Sequence, residues 1–131
     1  MQTNEAFYRR YINCLNSGNL AGLSAFVANE LAYNGREITL DDYIKSRLQE
    51  RKAIPDLFYH IELLVTGEDT IACRLHFDCT PAGEFMGFQP NGNRITFSEN
   101  VFYQLSGGKI SAVFSLLDID AIRKQMVNKT S

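Results

Sequence analysis

Residues 83–118 read GEFMGFQPNGNRITFSENVFYQLSGGKISAVFSLLD. A loop punctuated by Gly and Pro leads into a long alternating run, a Gly-Gly turn and a second alternating run, and Asp118 then opens a helix. Successive side chains on a strand point to opposite faces. The alternation therefore groups Phe97, Glu99, Val101 and Tyr103 on one face of the first strand, and Val113, Ser115 and Leu117 on one face of the second. Reading Ser106-Gly107-Gly108 as a three-residue hairpin loop, with Gly108 left-handed, pairs Leu105 with Lys109. That register sets Val101 opposite Val113 and Glu99 opposite Ser115, whereas a two-residue loop would turn one set to the other face. The order of elements predicts a curved sheet closing over a pocket. The outward face carries Phe102, Phe114 and Leu116, and so much exposed apolar surface predicts a homodimer through the sheet.

Working upstream, residues 71–79 alternate strictly, with Ile71, Cys73, Leu75, Phe77 and Cys79 inward and Arg74, His76 and Asp78 outward. Residues 57–65 repeat the pattern with Leu57, Tyr59, Ile61, Leu63 and Val65 inward and His60 and Glu62 outward. The first third of the chain reads as helices. Phe7, Tyr8, Tyr11, Ile12 and Leu15 have helical spacing over 4–17, and Gly18 stops that helix. A short helix follows over 20–27, then a brief strand over 30–34. Thr39 caps a third helix, with Asp42 three residues on; Tyr43, Ile44 and Leu48 form its apolar stripe and Pro55 ends it. Asp118 caps a last helix, Ile119–Met126. The whole is an α+β fold: three N-terminal helices packed on a strongly curved antiparallel sheet of four to six strands, a cone-shaped half-barrel with a short C-terminal helix, formed as a single domain over 1–131.

Composition narrows the function classes. The 131 residues are 45% hydrophobic and 21% charged, which is an ordinary globular balance. A net charge of −2 supplies no basic footprint, so neither nucleic acid nor an anionic membrane is expected as a partner. The start, MQTNEAFYRRY, lacks the basic-then-apolar pattern of a secretion signal, and no apolar run approaches a membrane span. Cys14, Cys73 and Cys79 have no metal-ligand spacing. Cys73 and Cys79 would lie about 20 Å apart along one strand, too far to pair. Reduced cysteines in a cytoplasmic protein, with no metal and no cofactor, are the expectation.

The run Gly83-Glu84-Phe85-Met86-Gly87-Phe88-Gln89-Pro90-Asn91-Gly92-Asn93-Arg94, followed by Gly108-Lys109-Ile110, resembles the SnoaL-like polyketide cyclases. These share the nuclear transport factor two fold with ketosteroid isomerase and limonene epoxide hydrolase. The resemblance implies an α+β cone around a pocket and spans nearly the whole chain. It also implies where chemistry would sit. The last-strand Asp of the cyclases falls on Ser115 and their His of the preceding strand on Val101; a His early in the Gly-rich loop of many relatives falls on Pro81. The Arg-x-Asp pair of the epoxide hydrolases falls on Ala82 and Glu84. The chain carries neither set. Asn34 resembles a pocket Asn of the cyclases.

Glu99 is the residue best suited to chemistry. A carboxyl among Phe97, Val101, Tyr103 and Val113 is desolvated, which raises its pKa and suits it to carry a proton near neutrality. The competing reading makes it a structural acceptor bonded to Ser115 or Tyr59. Ser115 as a nucleophile would need a base and an orienting group that neither strand supplies; a polar ligand contact fits it better. Asp118 is explained by its capping position, and His60 and His76 by an outward polar network. The expected site is therefore a pocket for a small apolar organic molecule, with Asn34, Tyr59, Phe97, Val101, Tyr103, Val113, Ser115 and Leu117 in contact with it and Glu99 as the base of an isomerase- or cyclase-like proton transfer. A non-catalytic ligand-binding or protein-interaction module of the same fold is the alternative.

Overall fold

The computed structural model describes residues 2–127; Met1 and residues 128–131 of the expected 1–131 domain lie outside the described residues. Helix α1, Asn4–Ser17, is followed by a 3-10 helix, Leu20–Ala25. Strands β1, Val27–Tyr33, and β2, Arg36–Thr39, precede helix α2, Leu40–Ala53. Strands β3, His60–Thr66, β4, Thr70–Cys79, β5, Ile95–Ser106, and β6, Lys109–Leu117, lead to helix α3, Ile119–Met126. The six strands form one open sheet in the order β2-β1-β6-β5-β4-β3. It is curved and mixed, because β1 runs parallel to β6 while the other pairs are antiparallel.

The expected block of three N-terminal helices is broken by a hairpin. Asn34 and Gly35 take positive φ values of 48° and 81°, the pair of left-handed residues that a type I′ turn requires, and Arg36 folds back to pair with Tyr33. Thr39 then closes a capping box with Asp42, each side chain bonding the other's backbone at 3.1 Å, and α2 begins there.

Two bulges depart from the predicted registers, and one of them changes a facing. The β5–β6 loop is a two-residue Gly107-Gly108 turn, both φ positive, with Ser106 opposite Lys109. A bulge between Gln104 and Leu105 then shifts the register, so that Gln104 faces Ala112, Val101 faces Ser115 and Glu99 faces Leu117. The extra residue undoes the inversion that a two-residue loop imposes, and Glu99 and Ser115 stay on the inward face as diagonal neighbours. In β3 a second bulge, between Ile61 and Leu63, has the opposite consequence. Leu63 pairs with outward Arg74 and Val65 with Ala72, so both apolar side chains face solvent instead of the core. Strand β4 alternates as read, with Ile71, Cys73, Leu75, Phe77 and Cys79 all buried.

α1 lays Phe7, Tyr8, Tyr11, Ile12 and Leu15 on the inner face of the sheet. Their interior is aromatic. Tyr8 meets Tyr103 with ring centroids 5.1 Å apart and hydroxyls 3.1 Å apart, and the Tyr11 hydroxyl bonds that of Tyr43. This packing fills one end of the concave face. The other end stays open.

Candidate functional site

The open end is a cavity of about 350 Å³ between α2, the ends of β5 and β6, the loop after β4 and the start of α3. Leu57, Phe77, Phe85, Phe97 and Leu117 form its apolar wall. Phe77 and Phe97 stack with centroids 4.9 Å apart, and Phe85 closes against Phe97 at 5.7 Å. Met86 and Ile119 stand at the mouth, both exposed. The loop that carries Phe85 and Met86 is held at both ends: the backbone N–H groups of Ala82 and Gly83 donate to the Ala53 carbonyl at 2.8 and 3.1 Å, and the Asn91 amide donates to the carbonyls of Gln125 and Met126 at 3.0 and 3.1 Å. Its tip is a tight turn in which Phe85 and Phe88 exchange backbone bonds and Met86 and Gly87 take positive φ.

Polar groups gather at one corner. Glu99 reaches it from β5 and accepts a hydrogen bond from the Ser115 hydroxyl on β6. Asn34, at the end of β1, spends its side-chain amide on β6: its Oδ1 accepts from the Ser115 N–H at 2.8 Å and its Nδ2 donates to the Ser115 carbonyl at 3.3 Å. Asn34 thus lines the cavity while pinning the strand that carries Ser115. Arg47 and Glu50 enter from α2, three residues apart and hence on one face. Their side chains are only 13% and 23% exposed, and the guanidinium stands 3.9 Å from the carboxylate. The Arg47 guanidinium also lies over the rings of Tyr43, at 5.1 Å, and Tyr33, at 5.9 Å. Glu50 accepts from the Tyr59 hydroxyl.

Burial pushes the Glu99 carboxyl up from its ordinary pKa; the Ser115 hydroxyl and the Arg47 cation pull it back, and the Glu50 carboxylate adds to the rise. For Arg47 burial favours the neutral form, but the Glu50 carboxylate first, and then the phenol groups of Tyr43, Tyr59 and Tyr33, act the other way, so the guanidinium keeps its charge. Burial likewise drives the Tyr43 phenol up to about 12 and keeps it neutral.

Of the residues singled out from sequence, Glu99, Asn34, Phe97, Ser115 and Leu117 line the cavity. Val101, Tyr103 and Val113 do not: they sit in the closed core beneath α1. Tyr59 is also buried in the core and touches the corner only through Glu50. Arg47 and Glu50, which reach the cavity from α2, are not among the residues the sequence singles out. The signal was present, since Arg47 falls four residues after Tyr43 and three after Ile44, on the helix's own apolar stripe. Glu84 is exposed and bonds Gln89 at 3.3 Å, away from the cavity. Asp118 accepts from the Ala121 N–H at 3.1 Å, as a cap. Among the described residues no group of three or more His, Cys, Asp or Glu side chains is arranged to hold a metal ion, and no helix is long and apolar enough to cross a membrane.

Comparison with known proteins agrees with this architecture. No curated protein matches the chain. A SnoaL-like polyketide cyclase from Agrobacterium tumefaciens superposes with a TM-score of 0.90 at 39% identity, over 95% of this chain and 98% of that one. IdmH, a candidate polyketide cyclase from Streptomyces antibioticus, gives a TM-score of 0.83 at 18% identity over 95% and 98% of the two chains. AclR, a candidate hydroxylase from Streptomyces galilaeus, gives 0.77 at 23% identity over 92% of each. The last two show the fold alone. With the family model for SnoaL-like polyketide cyclase matched across residues 5–126, the chain belongs to the SnoaL-like polyketide cyclase family.

Proposed function

We propose that the protein binds a small, largely apolar organic molecule in this cavity and moves a proton on it, in an isomerase- or cyclase-like reaction at a carbon acid. The observation that carries the reading is the Glu99 carboxyl, bonded by Ser115 and facing Arg47 at the end of an aromatic-walled cavity. As a carboxylate it takes the proton from a carbon next to a carbonyl group; as the acid it returns that proton to carbon or to oxygen. The raised pKa lessens the free-energy gap between Glu99 and a carbon acid. The cyclase description of the Agrobacterium relative is in line with this class of reaction.

Binding without chemistry is the second reading, favoured by one observation: the positions where the cyclases carry their Asp and His hold Ser115 and Val101. A homodimer through the outer face of the sheet belongs to the proposal. Val65, Ala72, Phe102 and Phe114 lie side by side across four strands, with Leu63 and Leu116 in the next row. The three free cysteines, two of them buried, suit a reducing compartment such as the cytoplasm.

The test uses 2-tetralone, an apolar ketone with acidic α-hydrogens. Titration followed by amide NMR is expected to give saturable shifts at Phe97, Glu99, Ser115 and Leu117. In D2O the protein is expected to speed α-deuteration of the ketone, and Glu99→Gln to lose that acceleration. Saturable shifts without exchange would favour the binding module, and no shifts would contradict the cavity reading.

A further inference from the structure

The polar corner contains a cation whose hydrogen-bonding capacity is unspent. Arg47 Nε is buried and has no hydrogen-bond partner. Its neighbours do not supply one. Glu50 stands 3.9 Å from the far nitrogen of the guanidinium, beyond hydrogen-bond length, and its other oxygen is held by Tyr59. Glu99 accepts from Ser115, and the Asn34 carbonyl oxygen is committed to the Ser115 backbone. Tyr33 and Tyr43 offer Arg47 only the faces of their rings. A buried guanidinium donor left unpaired costs free energy, and an incoming acceptor recovers it. The side-chain donors of Asn34 and Ser115 are already engaged, which leaves Arg47 and the hydroxyl of half-buried Tyr33 as the cavity donors open to an acceptor brought by a ligand.

We propose that Arg47 is the oxyanion-receiving group of the cavity, and that its ligands carry an oxygen bearing negative charge, as carboxylate or enolate, on a planar apolar body. This rests on the small-molecule reading above and specifies its substrate class. For the proton transfer the balance is simple. The C–H bond breaks, its proton passes to the Glu99 carboxylate, and the electron pair moves through the new C=C bond to the carbonyl oxygen, which becomes the enolate facing Arg47. One negative charge travels from Glu99 to the ligand oxygen, and the corner's net charge is unchanged.

Binding of 2-naphthoate and of neutral 2-naphthamide, measured by calorimetry near pH 6, tests the assignment. The wild type is expected to prefer the acid by about tenfold or more, the effect of a charged hydrogen bond. Arg47→Met should remove that preference, weakening the acid about tenfold more than the amide, whose neutral carbonyl also accepts from Arg47. Arg47→Lys keeps a cation but lacks Nε, and should fall between the two; it decides the matter if the Met variant does not fold. Glu99→Gln should bind the acid at least as tightly as the wild type, since a carboxyl that repels the anion is gone. Equal affinity of the wild type for acid and amide, or an acid preference that survives in Arg47→Met, would overturn the assignment of Arg47 alone. If neither compound binds, the cavity reading fails and this inference fails with it.

Discussion

Burial and the Arg47 cation act on Glu99 in opposite directions at the cavity corner. The carboxyl's pKa lies above its ordinary value because burial outweighs the Ser115 hydroxyl and the Arg47 cation. A carboxyl raised on folding binds its proton more tightly in the folded state, so the native state is favoured at low pH and loses that advantage as pH climbs from the unfolded pKa through the folded one. Glu99→Gln is uncharged throughout. The Tm difference, variant minus wild type, is therefore expected to grow as pH rises through that window and then to level off, with the variant the more stable near neutrality. A variant that melts lower at neutral pH, by an amount equivalent to about 1–3 kcal/mol, would mean that the charged carboxylate holds the fold together through Ser115. Arg47→Met removes the cation that lowers the Glu99 pKa, so in that variant the Glu99 titration should move further up.

Asn34 joins two elements. It sits at the first position of the β1–β2 turn with φ 48°, and its side chain grips both backbone groups of Ser115 on β6. Asn34→Gly retains the turn geometry and removes the grip, and is expected to cost about 1–2 kcal/mol in urea unfolding. No loss would show that the parallel β1–β6 pairing holds without the clamp. The turn itself is legible, because Asn-Gly between two β-rich stretches is a strong hairpin signal, while the expected single strand over 30–34 does not include β2. Strand β4 could be read from alternation alone, since a period of two survives wherever both strand faces keep their neighbours, whereas the common facing of Glu99 and Ser115 was expected from a three-residue loop and arises instead from a two-residue loop and a bulge. The bulges could not. Whether Gln104-Leu105 or Ile61–Leu63 breaks register depends on how the strand must bend to meet its partners, and nothing local in those residues records it. For the same reason Val101, Tyr103 and Val113 were correctly placed inward but wrongly placed at the cavity: the alternation gives the face, and only the packing of α1 decides which end of that face is filled.

The molecule has two contrasting sheet faces. The inner one is divided between a tyrosine-rich core under α1 and the cavity; the outer one shows Leu63, Val65, Phe102, Phe114 and Leu116 to solvent, with Leu116 as much as 73% exposed. If that outer face is the proposed dimer contact, light scattering at micromolar concentration should give twice the 14.8 kDa chain mass, and Phe102→Glu with Leu116→Glu should return it to the monomer. A monomeric wild type would remove the dimer and leave the cavity untouched, since no cavity wall but Leu116 lies on that face. What the fold as a whole accomplishes is to bring a buried carboxyl from β5, a hydroxyl from β6 and a cation from α2 to one end of an aromatic cavity. The most direct measurement of that arrangement is the pKa of Glu99, followed through its side-chain carboxyl carbon by NMR as pH is varied. A midpoint clearly above the ordinary glutamate value of about 4.3, moving higher still in Arg47→Met, is the predicted result. A midpoint at or below that value, or one indifferent to the loss of Arg47, would contradict it.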